Sequence, residues 1–246
     1  MKACVIIPAR FSSTRFPGKP LIALLGRPMI LWVAELSARA VGVDNVYVAT
    51  EDERIAKVVR ESGFSALMTG PEALTGTDRL AEAAQMIDYD IYVNVQGDEP
   101  LVEPDDIQRA IELKMLHPDK IINGFCWIEP AEDPASVNIP KVITNEDNIM
   151  VYMSRALIPG FKVDKNKPAR YKKQVCIYGF TKKELVDFAN YDRKSTLEQS
   201  EDIEILRFIE LGKDVLMYEC KAGSLAVDIP EDVPAVEARL STDRNK

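Results

Sequence analysis

Between residues 3 and about 116 the chain repeats one pattern four times: a short apolar run, a turn, then a segment with helical spacing. The apolar runs cover 3–8, 45–50, 64–68 and 90–96. The helical segments run from Pro28 to about Val41, from a cap at Asp52 to about Ser62 with Gly63 closing it, from a cap at Thr77 to Ile87, and from Pro104 to about Leu116. The strand-like runs are mainly apolar stretches rather than alternating patterns. Such strands are buried on both faces, and strands that alternate with helices pair in parallel. The pattern predicts an α/β fold: a mostly parallel sheet with helices on both faces.

The rhythm changes after residue 119. Short strands are expected at 121–128, 141–144, 150–153 and 174–181, with few helices between them. Residues 120–181 therefore read as a smaller mixed-sheet insertion, a candidate lid or subunit contact and not an independent domain. Residues 1–119 and 182–246 are expected to form the α/β core, the side on which the loops described next would bind a ligand. In the second part, helices are expected at about 182–190 and 198–211, a strand at 214–220, a short strand ending at Asp228, and a helix from Pro230 to about Leu240.

A net charge of -8 argues against a nucleic-acid binder, which shows a basic surplus. The four cysteines, Cys4, Cys126, Cys176 and Cys220, show no paired spacing, so no zinc or thioredoxin motif is present. No signal peptide opens the chain, and no apolar run approaches the roughly 20 residues of a membrane span. These features predict a soluble, cytoplasmic protein without membrane insertion. The single histidine, His117, precedes a proline at an expected helix end, which leaves triads and His-rich metal sites without a base or ligand.

Chemistry gathers in four loops. The first strand stops at Pro8-Ala9 and enters a loop with three cations, Arg10, Arg15 and Lys19, before Pro20. A strand ending in a cationic loop suits an anion lying across its carboxyl end. The loop is not a P-loop: Ser13 stands where that motif needs glycine, and Pro20 where it needs Ser or Thr. Gly18 is its only glycine, so the Gly-x-Gly-x-x-Gly fingerprint of a nicotinamide dehydrogenase is missing too. The fourth strand ends in Gln96-Gly97-Asp98-Glu99-Pro100, which puts a carboxylate at the ligand edge of the sheet. A carboxylate beside phosphates is what magnesium takes from a protein. Asp228, before Ile229-Pro230, has the same form, and the two aspartates could share a cation; each could also be a plain turn or cap residue. Residues 69–79 make a small-residue loop in which Gly76 lets backbone amides approach a ligand and Arg79 follows one turn into the helix.

In order along residues 3–240, the stretches Val5-Ile6-Ile7-Pro8-Ala9-Arg10, Pro17-Gly18-Lys19-Pro20-Leu21, Gly76-Thr77-Asp78-Arg79, Asn94-Val95-Gln96-Gly97-Asp98-Glu99-Pro100, Ser154-Arg155-Ala156, Ile177-Tyr178-Gly179 and Val227-Asp228-Ile229-Pro230-Glu231-Asp232 resemble the 3-deoxy-manno-octulosonate (Kdo) cytidylyltransferase family, the CMP-Kdo synthetases. The resemblance implies a Rossmann-like nucleotidyltransferase sheet, CTP and a 2-keto-3-deoxy sugar acid as substrates, Mg2+, a homodimer built through the mid-chain insertion, and a place in lipopolysaccharide precursor synthesis. It also implies that Pro8, Ala9, Arg10, Arg15, Lys19, Thr75, Gly76 and Arg79 bind the nucleotide, with Arg10, Lys19 and Asp98 catalytic. Asp98 and Asp228 match the metal ligands; Gln96, Arg155, Gln174, Tyr178, Glu198 and Glu201 fall on the sugar side. This chain departs from the family at Glu72-Ala73-Leu74 and at Gln174, where relatives carry histidines. The family implies Kdo, and the change at Gln174 points to a Kdo variant such as 8-amino-Kdo or to a different ulosonic acid. A non-catalytic nucleotide sensor on the same fold is the competing class.

Overall fold

The structure, a computed structural model, describes residues 1–12, 16–221 and 225–243. The first half supplies β1 (Ala3–Ala9), a two-stranded hairpin of β2 (Ala23–Leu24) and β3 (Arg27–Pro28), α1 (Met29–Val41), β4 (Val46–Thr50), α2 (Glu53–Glu61), β5 (Ser65–Met68), α3 (Gly76–Ala84), β6 (Ile91–Val95) and α4 (Pro104–Leu116). The second half supplies β7 (Ile121–Trp127), β8 (Lys141–Thr144), β9 (Met150–Ser154), β10 (Lys172–Phe180), α5 (Lys182–Ala189), α6 (Thr196–Glu201), α7 (Leu206–Glu210), β11 (Val215–Glu219) and α8 (Val233–Asp243).

The main sheet runs β11-β7-β10-β6-β1-β4-β5. Every neighbouring pair on this path is parallel except those of β10, which runs against both β6 and β7. The expected mostly parallel sheet is therefore present, with one reversed strand inside it.

β1 shows why its run is apolar without alternation. Val5 and Ile7 point into a core shared with Ile30 and Val33 of α1, Ile55 and Val59 of α2, and Ile107 of α4. Cys4 and Ile6 point into a second core with Leu80 of α3, Phe188 of α5 and Phe208 of α7. A strand between two helix layers has no solvent face, so each position must be apolar. A third, smaller cluster joins Leu24, Met29 and Trp32 to Val227, Val236 and Leu240. It fastens α8, and the extended segment before it, beside the mouth of β1.

The segment 120–181 is divided rather than set apart. β7 and β10 belong to the main sheet, and only β8 and β9 extend from it, as an antiparallel arm that pairs with the first residues of β10. Two further expectations change. The helix expected over 198–211 is two short helices, broken near Asp202 at φ 51°. Residues 225–228 carry no strand; they run extended, tied by the Val227 amide to the Asp98 carbonyl at 3.0 Å. A lone strand there would have no sheet edge to pair with.

Candidate active site

From β1 the chain passes to β4 and β5 on one side, then returns to β6 on the other. The strand order thus reverses between β1 and β6, and the crevice at their carboxyl ends is where such sheets bind ligands. Pro8 and Ala9 close β1 there and are buried, while Arg10 emerges exposed. Gly97 lets the two strand ends meet: a Cβ on it would stand 2.9 Å from the Pro8 carbonyl oxygen.

The cationic loop is held from below. The Gly18 amide donates to the Phe11 carbonyl at 2.9 Å, and the Phe11 amide donates to Glu51 at 3.0 Å. The Arg54 guanidinium of α2 lies over the Phe11 ring, 3.3 Å from its centre. Lys19 follows Gly18, at the start of a single 3-10 turn. Its Nζ lies 2.7 Å from Oδ2 of Asp98 and 3.7 Å from Oδ1 of Asp228. The amides of Asp228 and Ile229 both donate to the Asp232 carboxylate, at 2.8 and 3.0 Å, which fixes the turn presenting Asp228. Two carboxylates 130 positions apart in sequence therefore converge on one ammonium. Arg15 lies outside the described residues.

The loop after β5 is a scaffold. Thr75, not Thr77, caps α3: its hydroxyl oxygen accepts from the Asp78 amide at 3.1 Å. Arg79 is 4% exposed; it pairs with Glu51 at 2.9 Å and donates to the Thr69 hydroxyl and the Gly70 carbonyl. Burial lowers its pKa, with Glu51 opposing that shift. It thereby locks the ends of β4 and β5 together below the crevice. Gly76 packs on Gln96, whose Nε2 would lie 2.8 Å from any Cβ at that position.

Two polar clusters lie beside β6 and β10. Gln96 Nε2 donates to Glu204 Oε1 at 3.0 Å, and the Thr77 amide donates to Glu204 Oε2 at 3.0 Å. Burial raises the Glu204 pKa despite these donors. On β10 the ladder shifts register between Val175 and Tyr178, and Asn123 Nδ2 repairs the gap by donating to the carbonyls of Val175 and Ile177 at 3.0 and 2.9 Å. Asn123 therefore turns its Oδ1 toward Gln174, whose Nε2 donates to it at 3.2 Å and to the Tyr178 hydroxyl at 3.1 Å. The Gln174 NH2 group donates to two protein acceptors and the Gln96 NH2 group to one.

Three residues expected on the sugar side are engaged in holding the fold. Glu198 is buried and gives both oxygens to Arg207, each at 2.7 Å; it does not face the crevice, because Arg207 is itself buried between Glu198 and Asp78 and needs both anions. The Glu201 carboxylate accepts from Ser154 Oγ at 2.6 Å, the Arg155 amide at 2.8 Å and the Tyr152 hydroxyl at 3.3 Å. The Arg155 guanidinium donates to the carbonyls of Glu201, Val137 and Asp202. Arg155 and Glu201 thus bind the β8–β9 arm to the end of α6. Sequence reasoning missed Glu204, Asn123 and Arg207. The polar Asn123 inside an apolar strand was the one available signal, since a buried amide needs partners.

An open sheet whose switch-point crevice joins a cationic loop to a carboxylate pair defines an α/β nucleotidyltransferase. The chain matches the cytidylyltransferase family over residues 4–215 and belongs to it. It is 38% identical to the 8-amino-3,8-dideoxy-manno-octulosonate cytidylyltransferase of Shewanella baltica, over 99% of this chain and 100% of that one. It is 39% identical to the 3-deoxy-manno-octulosonate cytidylyltransferase of Trichlorobacter lovleyi, over 98% and 99% of the two chains. The solved structure of CMP:2-keto-3-deoxy-manno-octonic acid synthetase complexed with CTP is 35% identical, with a TM-score of 0.90 over 99% of this chain and 100% of that one. HddC from Yersinia pseudotuberculosis, 16% identical with a TM-score of 0.68 over 98% and 100%, shares the fold alone.

Proposed function

We propose that the protein couples CTP to a 2-keto-3-deoxy octulosonic acid, Kdo or its 8-amino form, giving the CMP-sugar and pyrophosphate for lipopolysaccharide precursors. The observation that carries this reading is the convergence of Asp98 and Asp228 on the loop cation Lys19. It joins a phosphate-binding loop to a hard-oxygen donor pair at one switch point.

The donor pair fits Mg2+, which takes one or two carboxylates from a protein and leaves the remaining positions to waters and phosphate oxygens. Asp98 and Asp228 already hold one cation between them. When bound there, Mg2+ would supply Lewis-acid polarisation and lower the pKa of the attacking hydroxyl. The anomeric hydroxyl of the sugar attacks the α-phosphorus of CTP in line, its proton passing to solvent, as the bond from the α-phosphorus to the departing pyrophosphate oxygen breaks. Arg10 and Lys19 hold the β- and γ-phosphates and neutralise the charge that develops on them. Arg15 is expected to join them. No histidine base is needed, and His117 caps the far end of α4. The Gln96–Glu204 and Gln174–Tyr178 clusters offer oxygen acceptors to the sugar's hydroxyls, or to an ammonium in the 8-amino form. Thr75 and Gly76, held by Arg79, line the nucleotide side of the crevice.

The same reading includes a homodimer. Val137 and Val151 on the arm are 64% and 57% exposed, and Leu157, Phe161 and Val163 follow on the same excursion. Exposed apolar side chains gathered on a protruding arm suit a second copy. Among the described residues no helix is long and apolar enough to cross a membrane, in keeping with a cytoplasmic reaction.

Pyrophosphate release measured with CTP, Mg2+ and a panel of ulosonic acids tests the proposal. Release with Kdo or 8-amino-Kdo supports it. Tight CTP binding with no release from any acid would instead favour the sensor reading.

A further inference from the structure

The position of Lys19 has a consequence for the order in which ligands enter. Its ammonium lies between Asp98 and Asp228, the two oxygens being 2.7 and 3.7 Å away, and its side chain is mostly buried there. A divalent ion shared by the same oxygens would stand within about 4 Å of that ammonium, where like charges repel and screening is weak. The two cations therefore compete for the carboxylate pair. The backbone under Lys19 is fixed by the Gly18–Phe11 hydrogen bond and the Arg54–Phe11 stack, so only the long side chain is free to relocate. Lysine suits such an exchange, being a compact charge on four rotatable carbons. Its alternative partner is the phosphate chain for which the loop is built.

We propose that Lys19 is the resident counter-ion of the Asp98–Asp228 pair and gates it: metal and triphosphate bind together, because the triphosphate draws Lys19 off the carboxylates as the metal takes its place. This inference rests on the proposed assignment of the carboxylates to Mg2+ and of the loop to CTP. Each ligand lifts the cost that the other would face alone, so the two are positively coupled and the coupling is reciprocal. The gate offsets part of the carboxylate pair's charge in the free protein and makes a productive metal site conditional on nucleotide.

Mn2+ binding followed by electron paramagnetic resonance, with CTP present or absent and no sugar acid, tests the gate without turnover. For the wild type, CTP should tighten Mn2+ binding by about tenfold or more, within the usual range of coupling between sites. Lys19→Met should bind Mn2+ without nucleotide about tenfold more tightly than the wild type, and CTP should add little. Lys19→Arg, which keeps the charge, should restore the weak nucleotide-free binding. Circular dichroism of both variants checks the fold. If Lys19→Met binds Mn2+ no more tightly than the wild type without CTP, while both bind it with CTP, the gate is refuted and the proposed reaction stands. If the wild type binds no Mn2+ even with CTP, the metal assignment fails and the gate fails with it.

Discussion

Around the crevice, single residues divide into those that face a ligand and those that hold others in place. Arg207 is fully buried, with Glu198 and Asp78 as its counter-ions. Removing one of the two leaves the buried guanidinium with Asp78 alone and two of its donors unmet, so Glu198→Ala should cost about 3 kcal/mol of stability. Urea denaturation measures that loss, and the folded fraction should keep its KM for the sugar acid. A large rise in sugar KM with unchanged stability would return Glu198 to the sugar pocket. Gln174 should behave in the opposite way. Its amide is held by Asn123 and Tyr178 with one carbonyl oxygen left to a ligand. Gln174→Leu should raise the sugar KM about tenfold, the worth of one hydrogen bond near 1.4 kcal/mol, and leave the KM for CTP unchanged. The sequence shows both residues as polar positions in or near apolar runs. It does not show their partners, because Asn123 and Gln174 are 51 positions apart and Asp78 and Arg207 are 129 apart.

At the scale of elements, the main-sheet strands and the Asp52 cap were legible; the cap of α3, the segment before Asp228 and the edges of the insertion were not. Asp52 caps α2 as its sequence suggests, accepting from the Arg54 amide at 2.9 Å. Thr75 and Thr77 are both plausible caps on local pattern; Glu204 decides between them by taking the Thr77 amide. Mixed strands at 121–127 and 172–180 looked like an insertion because β10 is reversed, and direction is not written in composition. The arm that does project is tied down through Glu201. Burial pushes the Glu201 pKa up, but the Ser154 hydroxyl, the Arg155 amide and the Tyr152 hydroxyl outweigh it and hold the carboxylate below its ordinary 4.5. A lowered folded pKa means the ionised form is favoured by folding, so this stability is complete above the unfolded value and is lost as pH falls through the folded one. Wild type should therefore exceed Glu201→Gln by about 1–2 kcal/mol at pH 7, with the gap shrinking once pH drops below about 4.5. Thermal melts across pH measure the gap. A gap that widens on acidification would contradict the assignment.

For the whole molecule, the sheet order places the cationic loop and the β6 turn side by side, and the third apolar cluster then brings the C-terminal segment up to them. The sheet was legible because four mainly apolar strands alternating with helices admit few arrangements. The return of Asp228 to Asp98 was legible only as two similar motifs, since the Val227–Asp98 bond and the packing of Val227 under Trp32 are long-range. Assembly belongs to this scale as well. Sedimentation should report a dimer, and Val151→Asp on the exposed arm should shift it toward monomer; a wild-type monomer at micromolar concentration would remove the dimer from the account. The carboxylate pair itself is tested most directly by pyrophosphate release from CTP, Mg2+ and the preferred octulosonic acid, comparing wild type with Asp98→Ala. The account predicts that release falls by a factor of at least about 1,000 while circular dichroism and the melting transition show an intact fold. Release within a few-fold of wild type would contradict the site proposed for this chain.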